Sequence, residues 1–306
     1  MNRKIIKQGL KAYTITLPIS WIRQNNLEIG SEVVLNETNN KIIISNEQTI
    51  FIEKKIDFNI QNEYLLQTKK PYRLIQRIYS SLFKAGYTEI KFHFSKPEIA
   101  KYLKKRTDLF IGCEIIDEDK NYIIIKSIVN PNKEEFKNLY NRAFLIILTI
   151  SKQLISNLKS NDFDILDLNE FERTNGKITD YLKRLLKLTT IVDSDNLSYY
   201  YSLIAENERL CDEYKYLIIN LAKEKKVSKE LISILEKLDE GLNLMYKLIN
   251  KYDINLVKSI SVLRENLINH IDSKLDSSKY KLPLFFTRNI MIKIYELCEA
   301  ILEMNI

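Results

Sequence analysis

Hydrophobic and polar positions change their period twice along this chain of 306 residues. Near the N-terminus Tyr13, Ile15 and Leu17 alternate with Thr14 and Thr16, the two-residue period of a half-buried strand. Arg3 to Gln8, with Ile5 and Ile6 apolar, is expected to form the strand before it. Pro18 cannot continue a ladder but suits the first turn of a helix, and Trp21 and Ile22 give that short helix an apolar side. Asn25 and Asn26 tolerate left-handed geometry and can end it, and Gly30 makes the next turn. Glu32 to Asn36 and Lys41 to Ser45 read as two more strands, with Glu37-Thr38-Asn39-Asn40 as the hairpin turn between them.

From residue 48 to about 130 the pattern alternates strand and helix. TIFIEK, KIDFNI and EIKFHF read as strands. Pro71 to Ala85 carries Leu74, Ile75, Ile78 and Leu82 at helical spacing and stops at Gly86. Ser95-Lys96-Pro97-Glu98 has the spacing of a capping box and is expected to open a helix reaching about Lys105. LFIGCEIIDE and NYIIIKSIV form a final strand pair around Glu118-Asp119-Lys120-Asn121. Beyond Pro131 the strand period vanishes. Phe136, Leu139, Tyr140, Ala143, Phe144, Ile147 and Ile150 form a helical stripe, and six helices are expected, at about 134–159, 164–192, 196–225, 228–251, 254–275 and 284–305. Long helices with short loops imply antiparallel packing, here as two three-helix units. The expected fold class is multidomain α+β, divided at 1–47, 48–130 and 131–306.

Composition narrows the function classes. The formal net charge is +7, which permits a polyanionic partner. No stretch is apolar enough to span a membrane, and the basic start lacks the apolar segment of a signal peptide. Cys113, Cys211 and Cys298 are odd in number and far apart, which fits a reducing cytoplasm. With only His93 and His270, a histidine-based triad or zinc site is not expected. There is no Gly-rich phosphate loop and no nucleophile motif, so an enzyme is not expected.

The charge is unevenly placed. Residues 1–25 carry Arg3, Lys4, Lys7, Lys11 and Arg23 and no acid, whereas residues 26–50 carry Lys41 against Glu28, Glu32, Glu37 and Glu47. One basic surface should result. Four short strands and one short helix expose too much of themselves to hold a core alone. A second copy is therefore expected to share it, with Trp21, Ile22, Leu27, Val33 and Val34 in the dimer core. RKIIKQG, TITLP and WIRQNNLEIGSEVVL resemble the AbrB/MazE/SpoVT swapped-hairpin family over about 45 residues. The resemblance implies two chains interleaved in one barrel-like dimer that binds double-stranded DNA through its basic strand face. Arg3, Lys4, Lys7, Lys11 and Arg23 are the expected contacts. Ile19 stands where that family often has a lysine.

In the third long helix, Glu208-Arg209-Leu210-Cys211-Asp212 resembles a segment of PhoU-type phosphate regulators, and AGYTEI and IGCEIIDE resemble segments of their archaeal, AbrB-fused form. That resemblance implies two three-helix units, a transporter or sensor-kinase partner, and carboxylate pairs able to hold a metal cluster. Glu208 and Asp212, four apart, share one helical face. The facing segment, however, offers Asn175 and Thr179 where acids are expected, Ile292 replaces the acid that would accompany Glu296, and the fifth helix offers Glu265 and Asn269. About five such acidic pairs arise by chance at this composition. No cofactor is expected, a divalent or ferric ion at Glu208 and Asp212 being the exception that the resemblance would allow. The reading is a cytoplasmic, dimeric DNA-binding regulator with a sensing or partner-binding helical region. Its rival is an adaptor that uses the N-terminal domain only to dimerise, and an antitoxin ranks below both.

Overall fold

The computed structural model describes residues 2–38, 41–45, 54–60, 72–129, 133–160, 166–188, 192, 196–224 and 226–306. It divides into two compact units, Met1–Ile52 and Glu53–Ile306.

In the first unit, β1 (Ile6–Gln8) and β2 (Ala12–Thr14) form an antiparallel hairpin in which Lys7 stands opposite Tyr13. The ladder is shorter than the alternation suggests. The strand begins at Ile6, not Arg3, and Ile15 to Leu17 run outside the pairing, because the register is used up once Ile6 meets Thr14. Pro18 turns the chain into α1 (Ile19–Gln24), its carbonyl accepting from the Trp21 and Ile22 amides at 3.0 and 3.1 Å. The helix ends as its asparagines suggest. The Asn25 side chain donates to the Trp21 carbonyl at 2.8 Å, and Asn26 takes a left-handed φ of 50°. A second antiparallel hairpin follows, β3 (Val34–Thr38) with β4 (Lys41–Ser45). Thr38 pairs with Lys41, so the expected turn narrows to Asn39-Asn40, which lies outside the described residues.

The second unit begins with a four-stranded sheet, β5 (Lys55–Asn59), β6 (Glu89–His93), β7 (Cys113–Asp119) and β8 (Tyr122–Ser127), in the spatial order β5-β6-β8-β7. Only β5 and β6 are parallel. Residues 49–53 of the expected TIFIEK strand lie outside the described residues. Ile90, Phe92, Ile123 and Ile125 are buried on one face. The helices α2 (Tyr72–Lys84) and α3 (Pro97–Thr107) contribute Ile75, Tyr79, Phe83, Ile99 and Leu103 to the same core. Tyr79 meets Phe92 edge-on at 5.3 Å. The cap of α3 differs from expectation. Lys96, one residue after Ser95, is the N-cap, and Pro97 is the first helical residue. A proline at that position already spares an amide that would have no partner.

Six long helices follow: α4 (Lys133–Ser160), α5 (Leu166–Leu188), α6 (Leu197–Leu221), α7 (Lys229–Asn250), α8 (Ile254–Leu275) and α9 (Lys281–Asn305). The first three pack on one another, the last three do likewise, and α4–α7 and α6–α9 contacts join the sets. Ser228 and Asp253 cap α7 and α8, their side chains accepting from the Leu231 and Asn255 amides. The last helix begins three residues before the expected 284, and Pro283 lies inside the first turn of α9, where proline's missing amide costs nothing.

The sheet layer and the helices belong to one unit because α2 packs on α5. Gly86 follows α2 at a left-handed φ of 86°, and a Cβ there would come within 2.8 Å of Leu188 on α5. Beside it Arg184 of α5, 1% exposed, donates through Nη1 to the carbonyls of Phe83 at 2.6 Å and Tyr87 at 2.8 Å. Its guanidinium carbon lies 4.7 Å from the Phe83 ring. The Phe83 carbonyl lies in the last turn of α2, where the helix dipole favours a cation, and it also accepts from the Gly86 amide at 3.0 Å; Tyr87 follows just beyond the helix. Lys84 and Asp180 add an ion pair at 3.2 Å.

The three cysteines are free thiols, with Cys211 and Cys298 buried. Burial pushes the Cys113 thiol up to about 11 and Cys298 up to about 12, and it raises Cys211 as well. Alkylation at pH 8 should therefore be slower than for a free cysteine by about two orders of magnitude at Cys113, and slower still at the buried pair. Mass spectrometry after a timed iodoacetamide pulse, native against urea-unfolded, checks this.

Candidate nucleic-acid interface

The five cations of the first 25 residues all stand in solvent. Arg3 and Lys4 lie in the extended segment before β1, Lys7 on β1, Lys11 in the turn to β2, and Arg23 in the last turn of α1. Strand alternation puts Lys7 and Tyr13 on one face of the first hairpin and Ile6, Gln8, Ala12 and Thr14 on the other. None of the five pairs with a carboxylate among the described residues. Glu28, Glu32 and Glu37 come later in the chain and are exposed as well.

The apolar residues of the same unit decide what it can do alone. Trp21, Ile22, Leu27, Val33 and Val34, the expected dimer core, are each only half-buried, and no described residue from 2 to 45 is buried. Ile6, Tyr13, Ile15, Leu35 and Ile42 are 56%, 69%, 52%, 63% and 68% exposed. Apolar surface that concentrated on so short a segment marks an interaction face.

A paired-hairpin module with a cation-bearing first half and no core of its own is thus the class that this geometry defines. Residues 6–50 match the family described as antidote-toxin recognition MazE, bacterial antitoxin, and this segment is a MazE/AbrB-like domain. Among curated proteins, Protein PFC0760c of Plasmodium falciparum is 31% identical over 189 residues, 56% of this chain and 6% of that protein. The chain spans so small a part of that relative that the similarity carries no activity across. No solved structure matches.

The carboxylates singled out on α6 do not assemble a metal site. Glu208 is ion-paired with Lys183 of α5, whose side chain is 7% exposed. An ammonium therefore already neutralises that carboxylate where a metal would have to. Asp212 is raised by burial and then by Glu172, which Lys215 engages at 3.1 Å. The facing positions hold neutral groups. Asn175 donates to Asn207 Oδ1 at 2.9 Å and to the Ala143 carbonyl at 3.0 Å, and Thr179 is fully buried. Among the described residues no three of His, Cys, Asp and Glu are grouped to hold a metal ion. Opposite the α6 carboxylates stand two amides, a hydroxyl and an ammonium, not the further carboxylate oxygens that a divalent or ferric ion needs.

Sequence reasoning passed over Lys183 and Arg184. No local signal marks them: Ile178, Tyr181, Leu182, Leu185 and Leu186 fall on one helical stripe, and Lys183 and Arg184 lie off it, where solvated charges are expected. No helix among the described residues is long and apolar enough to cross a membrane.

Proposed function

We propose that the protein is a dimeric regulator that holds double-stranded DNA on its N-terminal domain. One observation carries the reading: a MazE/AbrB-like segment that buries none of its described side chains in a single copy, yet displays five uncompensated cations. Pairing with a second copy supplies the missing core, and ten cations then share one small assembly. Lys4, Lys7 and Lys11 position the domain on phosphates, while Arg3 and Arg23 can also read guanine edges. If about 6–10 of these groups meet phosphates, affinity for duplex DNA should fall roughly 10³- to 10⁵-fold between about 50 and 200 mM salt. Fluorescence anisotropy on labelled duplexes across a salt series tests this, and a flat salt response would count against it.

In this reading the protein binds and does not catalyse. The helical region serves as the sensing or partner-binding part. On the sequence resemblance to PhoU-type proteins alone, the reading extends to a role in phosphate uptake regulation. The exposed Ile19, standing where a lysine is common, favours the adaptor reading, in which the N-terminal domain only dimerises. An intact dimer without DNA affinity would establish that alternative.

A further inference from the structure

In the second unit a cleft of about 280 Å³ opens between α2, α3 and α5, lined by Gln76, Tyr102, Lys105, Arg106, Leu109 and Arg173. Three of its six lining residues are cations and none is an acid. They come from two helices far apart in sequence, so the convergence is a product of the fold and not of a local basic run. Lys105 and Arg173 are exposed and pair with no carboxylate among the described residues. Arg106 is set more firmly. Its guanidinium lies 5.5 Å from the Phe110 ring and donates to Ser80 Oγ at 3.4 Å, while its buried Nε has no partner among the described residues. Tyr102 stacks on Tyr72 at 4.8 Å and donates its hydroxyl to Gln76 Oε1 at 3.2 Å, which leaves the Gln76 amide hydrogens as donors.

Three like charges converge on this cleft and none of its lining residues offsets them, a cost that a compact anion with several acceptor oxygens relieves. Guanidinium forks match phosphate oxygens in pairs, and lysine adds a point charge. The volume is at the low end for ligand sites, which excludes a polymer and favours high charge density in few atoms. We propose that this cleft binds a small phosphate-bearing anion of pyrophosphate size, with Arg106 and Arg173 clamping its oxygens and Lys105 and Gln76 completing the shell. The site stands independently of the DNA reading.

Isothermal titration of the full chain with inorganic pyrophosphate tests the proposal. Binding should weaken by roughly a hundredfold in the Lys105→Gln/Arg173→Gln variant, both positions being exposed and free of structural partners, with helical circular dichroism unchanged. Citrate, a carboxylate anion of similar size, should bind more weakly than pyrophosphate. An Arg3→Glu/Lys7→Glu/Arg23→Glu variant should bind pyrophosphate as the wild type does, so that failure of the N-terminal reading cannot be mistaken for failure of this one. No binding by the wild type, equal binding by the cleft variant, or equal binding of citrate would overturn the proposal.

Discussion

Trp21→Ala converts the protein to a monomer that no longer binds DNA. Trp21 is the single tryptophan, and in one copy of the chain it is half-buried on a helix of six residues. Among the described residues neither α1 nor its two flanking hairpins encloses a core, and in the proposed dimer the indole takes its full burial from the second copy. Truncating a core Trp costs about 3–5 kcal/mol, and the dimer loses two. A combined loss of roughly 6–10 kcal/mol raises the dissociation constant about 10⁴- to 10⁷-fold. Folding and association of so small a module are linked, so its apparent stability should also depend on concentration in the wild type. Light scattering at micromolar protein reads the oligomer directly. The wild-type indole supplies a second readout, since its emission should shift to the red on dilution through the dimer dissociation constant. A Trp21→Ala protein that stays dimeric with unchanged DNA affinity would remove Trp21 from the shared core.

The second large effect is expected at Arg184. Among the described residues its charge is balanced not by a carboxylate but by the carbonyl of Phe83 in the last turn of α2, the carbonyl of Tyr87 just beyond it, and the Phe83 ring. Burial pulls its pKa down, although an arginine remains protonated in a protein. Arg184→Met keeps most of the volume but strips the Tyr87 carbonyl of its guanidinium donor and leaves the Phe83 carbonyl with the Gly86 amide, 3.0 Å away. Two lost charge-assisted hydrogen bonds and a stranded acceptor together put the cost at about 2–4 kcal/mol. Part of the loss is offset because Nη2, which has no partner among the described residues, no longer has to be desolvated. Arg184→Lys should fall between the two, since a point charge cannot reproduce the planar fork. Urea unfolding measures the midpoints. A midpoint for Arg184→Met equal to wild type would mean that the contact between sheet layer and helices does not depend on this side chain.

The contrast between these two residues shows what the sequence makes legible. Trp21 lies at a change of period, beside a proline and inside an acid-free run, so local pattern alone points to it. The long helices are equally legible, because apolar spacing of 3.6 residues persists over several turns, and Ser228 and Asp253 mark the starts of two of them with their own side chains. Arg184 follows the opposite rule. In LKRLLK it reads as a solvated charge near a helix end, and only the packing of α2 against α5 buries it. Lys183 is hidden for the same reason. Its pairing with Glu208 depends on α6, 25 residues further on. Parallel pairing of β5 with β6, across a connection of some thirty residues, is likewise a long-range outcome that the period of each strand does not encode. At the start of α3 the spacing points one residue early, to Ser95, where Lys96 is the N-cap and Pro97 begins the helix.

The central claim is that an interleaved pair of N-terminal domains presents Arg3, Lys4, Lys7, Lys11 and Arg23 to DNA. Its most direct test is fluorescence anisotropy of the full chain on labelled duplex DNA from low to physiological salt, alongside the Arg3→Glu/Lys7→Glu/Arg23→Glu variant, with light scattering showing that both proteins are dimers. The account predicts steeply salt-dependent binding by the wild type and none by the variant. A dimer that leaves duplex DNA untouched even at low salt, or a variant that binds as tightly as the wild type, would contradict it.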